Sequence, residues 1–268
     1  MAVKTTKAQR ADRHRLYQQA VQCVEAEIDF VDKTFRKLRG RTATRMREDF
    51  CGTAATSCEW VRRRPGNRAW GVDIDAATLD WGRANNLAAL REPARKRVKL
   101  LNGDVLKTRP GPVDAVLAMN FSYWIFRERA TMRRYFRRVR EGLGRDGIFF
   151  MDAFGGYDAY RVLRERTRMK GFTYVWRQES FNPIDSTMRC HIDFAFDDGS
   201  RLARAFTYEW RVWTLPELRE ILQEAGFSES RIYWQAWDEK TGEPSDRFYP
   251  AETADPDPGW ICYIVALK

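Results

Sequence analysis

Hydrophobic residues follow two alternating patterns along the chain. Between Arg13 and Leu38 they recur at steps of three and four, which predicts one long or two short amphipathic helices ending at Gly40. Beyond Gly40, short apolar runs alternate with helical stretches, as is typical of βαβ units around a mostly parallel sheet. The predicted strands lie at 44–50, 69–73, 98–101, 113–119 and 148–153, and the predicted helices at 53–63, 75–90 and 128–143.

The pattern changes after Gly155 and Gly156. Segments 173–179, 187–196 and 201–213 are rich in aromatic and β-branched residues, and an Asp-Gly turn between the last two indicates a hairpin. Thr214 and Glu217 then form a predicted capping box for a helix that ends before Gly226. Two strands close the sheet, at 232–237 and 260–267, and a Pro- and Asp-rich loop is predicted over 238–259.

These elements predict an α/β fold. We expect a Rossmann-like, doubly wound sheet of seven strands with an antiparallel last strand, an inserted antiparallel β lid and N-terminal helices. The predicted division is a helical cap at 1–42, a Rossmann-like domain at 43–154 and 214–268, and the lid at 155–213.

Composition excludes several classes of protein. A chain of 268 residues, 44% of them hydrophobic, can build one substantial core. The five cysteines are odd in number and dispersed, so neither a disulfide framework nor a zinc site is indicated, and we expect reduced thiols. The two histidines, His14 and His191, leave little material for metal-dependent hydrolysis or a Ser-His-Asp triad.

The sequence also predicts the cellular location of the protein. No apolar run approaches the ~20 residues that cross a bilayer, and the basic N-terminus lacks the apolar stretch of a secretory signal. We therefore expect a cytoplasmic protein without a membrane span, whose residues 1–7 are a disordered start.

The net charge is +10, and a basic protein tends to meet acidic partners. Along 128–143, however, Met132, Tyr135, Phe136 and Val139 form the apolar stripe of a helix, so most of its arginines belong to a solvated face. Nucleic acid is therefore not the expected partner.

The loop after the first predicted strand is the first candidate for a ligand site, because open α/β sheets bind ligands at the carboxyl ends of their strands. Its sequence, EDFCGTA at 48–54, lacks the Gly-x-Gly-x-x-Gly fingerprint of dinucleotide-binding folds. S-adenosylmethionine has no phosphate and carries an ammonium and a sulfonium. Acidic residues beside a tight glycine turn suit it better than they suit a dinucleotide.

The segment 48–54 resembles the first motif of class I S-adenosylmethionine-dependent methyltransferases, acidic-x-Gly-x-Gly-x-Gly. It matches the motif at Glu48 and Gly52 and departs from it at Phe50 and Ala54, which replace glycines. The resemblance implies that this loop wraps the methionine end of the cofactor.

Three further strand ends extend the resemblance. Asp73 lies twenty-one residues after Gly52, near the ~20 expected of a carboxylate that accepts ribose hydroxyls. By resemblance Ile74 packs on the adenine, Asp104 meets its amino group, and the backbone of Val105 meets a ring nitrogen. The strand that ends at Asn120 and Phe121 is similar to the one that faces the transferred methyl.

Two residues near the first motif are additional cofactor candidates. Tyr17, with Gln22, lies where the N-terminal helix of many relatives covers the cofactor's carboxylate, and a core tyrosine is the alternative. Arg47 is a second candidate partner for that carboxylate.

The resemblance also implies the reaction. Methyl transfer is an in-line displacement that needs alignment and exclusion of water rather than a catalytic triad. The predicted lid resembles that of glycine N-methyltransferase and the amino-sugar N-methyltransferases. Nitrogen is the preferred acceptor atom because no obvious base accompanies the site. The candidate acceptor contacts are Asn120, Tyr123, His191, Tyr208 and Arg211, with a structural role as the alternative for His191.

Two other functions stay open. The positive charge allows an RNA or protein methyltransferase, and the lost motif glycines allow a non-catalytic protein that binds S-adenosylmethionine or S-adenosylhomocysteine. The sequence also leaves a homodimer open.

Overall fold

The computed structural model describes residues 5–238 and 244–268. In chain order the strands are β1 (Arg45–Asp49), β2 (Arg68–Asp73), β3 (Val98–Asn102), β4 (Val113–Ala118), β5 (Leu143–Gly155), β6 (Leu163–Met169), β7 (Phe172–Asn182), β8 (Thr187–Ala195), β9 (Arg201–Arg211), β10 (Glu229–Trp237), β11 (Pro244–Pro250) and β12 (Trp260–Leu267).

Helices connect these strands. The α-helices of the described residues are α1 (Lys7–Arg10), α2 (Arg13–Ala20), α3 (Val24–Arg39), α4 (Ala55–Arg63), α5 (Ala76–Gly82), α6 (Glu92–Arg95), α7 (Arg129–Gly142) and α8 (Leu215–Glu224). None of the described helices is both long and apolar enough to cross a membrane.

The main sheet has eight strands in the order β11-β10-β12-β5-β4-β1-β2-β3. Strands β1 to β5 pair in parallel, whereas β12 is antiparallel to both β5 and β10. The predicted doubly wound sheet with an antiparallel last strand is therefore confirmed. An eighth strand, β11, extends it where the sequence predicted only loop, and residues 239–243 of that loop lie outside the described residues.

A second sheet is inserted between β5 and α8. It is antiparallel, in the order β6-β7-β8-β9, and we call it the lid sheet. Three of its strands were predicted, together with the Asp-Gly hairpin turn, where Gly199 has φ 78°. β6 was not predicted. It is a largely exposed edge strand in which most residues are charged, so its sequence lacks the apolar residues that indicate a strand.

Side chains on the two faces of the main sheet form two cores. In β5, Phe149 packs on one side with Phe136 of α7 and Leu218 of α8. The next residue, Phe150, packs on the other side with Phe35 of α3. Both faces are covered, which explains why this strand reads as a continuous apolar run.

The N-terminal segment forms separate short helices rather than one long one. Asp12 caps α2 by accepting hydrogen bonds from the backbone N–H groups of His14 and Arg15. The predicted disordered start is wrong at 5–7: Thr6 caps α1 with a full capping box, and the Lys7 backbone N–H donates to Asp198 at 2.8 Å. Residues 1–4 lie outside the described residues.

Candidate active site

The loop after β1 has an unusual backbone. Phe50, Gly52 and Ala54 all have left-handed conformations, with φ of 56°, 51° and 59°. These are the three positions that glycine occupies in the motif the sequence resembles. A side chain in this conformation costs about 1–2 kcal/mol, so the fold keeps the motif's geometry at Phe50 and Ala54 without its glycines. Strain of this kind is concentrated at ligand sites.

Packing offsets that strain. The Phe50 ring contacts the rings of Phe126 and Tyr135, with centroids 5.9 and 5.6 Å apart. Ala54 is fully buried at the start of α4. The loop conformation is therefore held from both ends.

Asp73 ties this loop to the end of β2. Its Oδ2 accepts a hydrogen bond from the Gly52 backbone N–H at 2.7 Å, and its Oδ1 accepts one from the Asp75 backbone N–H at 2.9 Å. From β3, the Asn102 amide donates to the carbonyls of Asp73 and Ile74. Burial raises the pKa of Asp73. The Ile74 side chain stays 75% exposed beside this carboxylate.

Glu48 braces the loop from beneath. Its Oε2 accepts hydrogen bonds from the backbone N–H and the hydroxyl of Ser57 at 2.9 and 2.5 Å, which fixes the first turn of α4 against β1. Glu27 of α3 accepts one from the Thr56 hydroxyl. Burial raises the pKa of Glu48 to about 8 and that of Glu27 to about 7. Two carboxyl groups that ionise reluctantly therefore lie under the first loop.

The loop after β4 also has left-handed residues that are held by a buried acidic side chain. Asn120 and Phe121 are consecutive left-handed residues, with φ of 58° and 56°. The Asp152 carboxylate of β5 accepts both of their backbone N–H groups, at 2.7 and 2.8 Å. Burial raises the pKa of Asp152 to about 7. A buried acid thus positions the loop at the centre of the sheet edge.

The loop after β3 presents backbone rather than side chains. Asp104 Oδ1 accepts the Leu106 N–H at 2.8 Å, and the carboxylate remains 32% exposed. The Val105 side chain is 4% exposed and belongs to the core. Only the main chain of Val105 remains available to a ligand at this edge.

Helix α2 covers the first loop. The Gln18 amide donates to the Thr53 hydroxyl at 2.7 Å, and the indole of Trp81 donates to Asp12 at 2.7 Å. Gln22, which was predicted to cover the cofactor's carboxylate together with Tyr17, lies beyond the end of α2. Gln18 is the glutamine that reaches the loop.

Tyr17 lies on the lid side of α2. Its ring packs against Phe206 of β9 with centroids 4.9 Å apart. Burial raises the pKa of Tyr17. Through Gln18 and Tyr17, α2 joins the first loop to the lid sheet.

A cavity of about 380 Å³ opens between α2, the loop after β4 and the lid sheet, and none of the predicted cofactor residues at 48–52, 73–74 and 104–105 lines it. Tyr17, Asn120 and Phe121 line it on the side of the predicted cofactor loops. Eight of the twenty other described lining residues are aromatic: Phe154, Tyr174, Trp176, Tyr208, Trp210, Trp234, Trp237 and Trp260.

One glycine shapes this wall. A Cβ atom on Gly155 would lie 2.1 Å from the Trp260 ring, so that ring lies flat over the backbone of β5 only because residue 155 has no side chain. The Trp260 ring in turn packs against Trp234 with centroids 4.8 Å apart.

The charge of the lining is one-sided. Asp158 and Glu165 belong to it, and no Lys, Arg or His of the described residues does. In the same described ranges, no group of three His, Cys, Asp or Glu side chains is placed to hold a metal ion.

The structure corrects three predicted site residues. Arg47 is fully buried on the α7 side of β1, where Nε and Nη2 donate to the Asp49 carboxylate at 2.7 and 2.5 Å, so it does not face the cofactor loop. Tyr123 is fully buried and its hydroxyl donates to the Asp152 carbonyl at 2.7 Å, so it cannot contact an acceptor.

His191 is the third correction. It is 2% exposed on the face of β8 that points away from the cavity, where its ring nitrogens bond with Thr207 at 2.9 Å and Glu179 at 3.1 Å. The alternative structural role is the one observed. Arg211 also lies outside the cavity, with its guanidinium 3.8 Å from the ring centroid of Trp213.

Sequence reasoning missed most of the cavity wall. A signal was present, because Tyr174, Trp176 and Gln178 alternate along one strand as Tyr208 and Trp210 do along another. Residues two apart share a face of a sheet. Large aromatic rings on one face of two strands of the same sheet are therefore a recognisable sign of a binding wall.

No protein-family model matches this chain, and no curated protein does. Solved structures do match over nearly the whole length. An S-adenosylmethionine-dependent methyltransferase from Clostridium acetobutylicum is 13% identical, with a TM-score of 0.67 over 95% of this chain and 96% of its own.

Two other solved structures are similar. CalS10, an amino pentose methyltransferase from Micromonospora echinaspora solved with bound S-adenosylmethionine, is 17% identical, with a TM-score of 0.66 over 95% of both chains. The sugar N-methyltransferase KedS8 from Streptoalloteichus is 17% identical, with a TM-score of 0.63 over 100% of this chain and 98% of its own. These likenesses confirm the predicted fold class, including the inserted lid.

Proposed function

We propose that this chain is an S-adenosylmethionine-dependent methyltransferase that acts on a small molecule, with nitrogen as the acceptor atom. The observation that carries the proposal is the loop at 48–54, which keeps three left-handed residues and is tied by Gly52 to Asp73. The solved methyltransferases that share the fold over the whole chain support it.

The residues at the strand ends fit the cofactor's charge. S-adenosylmethionine carries two positive charges, and the carboxylates of Glu48, Asp73, Asp104 and Asp152 lie at or under the loops that would meet it. Burial disfavours the ionised form of Asp73, and a cation bound at this loop would favour that form.

Each strand end has a proposed role. Asp73 accepts the ribose hydroxyls, the exposed Ile74 side chain packs on the adenine, and Asp104 with the Val105 backbone reads the adenine edge. Phe50 and Gly52 shape the space around the methionine end, which Tyr17 and the rest of α2 close. When bound, S-adenosylmethionine supplies a methyl group on a positively charged sulfur, and its transfer to a nitrogen lone pair leaves S-adenosylhomocysteine.

The chain's own contribution is alignment. Asn120, Phe121, Tyr17 and Tyr208 all line the cavity, so they are the residues that orient the acceptor against the cofactor loops and keep water away. The described lining contains no histidine or lysine to remove a proton from a hydroxyl. An ammonium ion loses its proton to solvent far more readily than a hydroxyl does, and the neutral amine then has the lone pair that the reaction needs, which favours nitrogen over oxygen.

The basic helix α7 does not favour an RNA substrate. Arg129 and Arg133 form ion pairs with Glu224 of α8, and Arg138 forms one with Glu141. None of these arginines lines the cavity. Binding of transfer RNA that weakens steeply with salt would favour this alternative, and the absence of such binding would remove it.

Location and assembly stay proposals. All five cysteines are free thiols and four are buried, which supports a reducing compartment such as the cytoplasm. A homodimer is tested by sedimentation equilibrium of the purified protein.

Two measurements test the proposed function. Titration calorimetry should show that S-adenosylmethionine and S-adenosylhomocysteine bind to the purified protein. A panel of small amines should then give S-adenosylhomocysteine release with at least one member. Failure of both cofactor molecules to bind would refute the proposal, and binding without turnover of any acceptor would leave a non-catalytic binding protein.

A further inference from the structure

The cavity has a charge opposite to that of the protein. The chain carries a net charge of +10, yet the described residues that line the cavity include two carboxylates and no basic side chain. An anionic acceptor would meet no compensating cation among these described residues. A positively charged acceptor would lie beside two carboxylates, which favours its charged form.

The two carboxylates differ in how they are paired. Asp158 accepts from Arg161 at 2.9 Å, and its backbone carbonyl accepts from the buried Gln178 amide at 2.8 Å. The Glu165 side chain, on the edge strand β6, forms no hydrogen bond or ion pair with another described residue, whereas its backbone pairs with Trp176 of β7. Glu165 is exposed at the mouth of the cavity, and partial desolvation together with the nearby Asp158 raises its pKa. Glu165 is therefore the carboxylate that lacks a cationic partner.

Aromatic rings complete this environment. On the lid side, the Tyr208 and Trp210 rings are stacked with centroids 4.4 Å apart, and the Trp176 ring lies 6.2 Å from that of Tyr208. Beneath them, the Phe121 and Phe154 rings lie 4.7 Å apart. Aromatic faces attract ammonium groups and also bury apolar surface.

We infer that the acceptor is a primary or secondary amine that binds as an ammonium ion beside Glu165, with an apolar or ring-shaped body against the aromatic wall and without phosphate or carboxylate groups. This inference rests on the proposed function, since it names the substrate class of the same site. Before methyl transfer the bound ammonium releases its proton to solvent, which frees the lone pair on nitrogen.

Three cyclohexane derivatives that carry a positive, zero or negative charge test the inference. Cyclohexylammonium, cyclohexanol and cyclohexanecarboxylate are titrated at neutral pH into protein saturated with S-adenosylhomocysteine. Tryptophan fluorescence is the readout, because Trp176, Trp210, Trp234 and Trp260 line the cavity. We expect the ammonium to bind at least about tenfold more tightly than the alcohol, and the carboxylate to bind most weakly.

Glu165→Gln provides the decisive variant. It should reduce the preference for ammonium over alcohol to less than about threefold while leaving alcohol binding unchanged. Glu209→Gln is the matched control, because Glu209 of β9 is ion-paired with Arg189 of β8 and does not line the cavity. Equal binding of the ammonium and the alcohol, stronger binding of the carboxylate, or an undiminished ammonium preference in Glu165→Gln would overturn the inference.

Cofactor binding is measured separately on the same samples, so that the two failures are distinguishable. If S-adenosylhomocysteine binds and the ammonium preference is absent, only the acceptor inference falls. If S-adenosylhomocysteine does not bind, the proposed function falls, and the same titrations on ligand-free protein still report the charge preference of the cavity.

Discussion

The backbone N–H of Gly52 donates to the Asp73 carboxylate at 2.7 Å, so the loop after β1 and the end of β2 form one rigid unit. The same carboxylate is the proposed acceptor for the ribose hydroxyls. Its position is therefore fixed by the loop that it helps to hold.

Two replacements of Asp73 should weaken cofactor binding to different degrees. Asp73→Asn keeps an oxygen that can accept the Gly52 N–H but loses the charge, and should weaken S-adenosylhomocysteine binding about tenfold. Asp73→Ala also frees the loop and should weaken it about a hundredfold. Calorimetry measures both, with the exposed Asp80→Asn as control. Affinity equal to wild type in Asp73→Ala would place the nucleoside elsewhere.

Gly52→Ala and Gly40→Ala form a matched pair. Both glycines have positive φ, 51° and 67°, and neither added Cβ would meet an atom closer than 3.9 Å. Each variant should therefore lose about 1 kcal/mol of unfolding free energy. Only Gly52→Ala should weaken cofactor binding, by at least about tenfold. Equal affinities in the two variants, measured by calorimetry beside urea unfolding, would contradict the location of the cofactor.

The two residues that replace motif glycines should behave differently. Ala54→Gly removes left-handed strain but adds unfolded-state freedom and a methyl-sized void, so its unfolding free energy should change by less than about 1 kcal/mol. Phe50→Gly also loses the contacts with Phe126 and Tyr135 and should cost about 2 kcal/mol. Cofactor binding should remain measurable in both. Loss of binding in Ala54→Gly would show that the Cβ atom itself matters.

Gly155→Ala should close the cavity. Its Cβ would displace the Trp260 ring, at a cost of about 1–3 kcal/mol in unfolding free energy. Acceptor turnover should fall sharply while S-adenosylhomocysteine binding stays normal. Gly259→Ala is the control, because Gly259 also lines the cavity but its Cβ would meet nothing within 4 Å. Normal turnover in Gly155→Ala would exclude Trp260 from the acceptor wall.

Stability without ligand should fall as the pH rises. Burial raises the pKa of Glu48 to about 8 and those of Glu27 and Asp152 to about 7, whereas the same groups ionise near pH 4 in the unfolded chain. Between about pH 5 and about pH 8 the folded protein thus binds more protons than the unfolded chain, and its unfolding free energy decreases with pH. Urea unfolding across this range measures the slope.

Glu27→Gln should flatten that slope, because it removes one of the titrating groups and its repulsion of the other two. Glu25→Gln, an exposed change two residues earlier on α3, removes only a repulsion of Glu27 and should flatten the slope far less. A stability that rises with pH over this range in the wild-type protein would contradict the assignment.

Elements with strong local signals were predictable from the sequence. The Thr214 and Glu217 capping box starts α8 as predicted, because both hydrogen bonds depend on residues three apart. The strands of the parallel core were also recognisable, since residues such as Phe149 and Phe150 are apolar on both faces. Edge strands β6 and β11 carry exposed, mixed sequences and gave no such signal.

Site residues were harder, because a role depends on which face of a strand a side chain occupies. His191 and Ile192 are neighbours in β8, yet Ile192 lines the cavity and His191 faces away from it. A shift of one residue exchanges the two faces, and both faces of this strand carry plausible side chains. Arg47 was misplaced for a similar reason: its partner Asp49, two residues on, shares its face and neutralises it.

Helix α2 also bears on the speed of a catalytic cycle. It has eight residues, none of them fully buried, and among the described residues one hydrogen bond, from Gln18 to Thr53, attaches it to the first loop. A helix of this length has little stability of its own. If S-adenosylhomocysteine leaves past α2, the rate at which this helix detaches sets how long the product stays bound. A weaker contact between Gln18 and Thr53 would then raise turnover while lowering the affinity for the product.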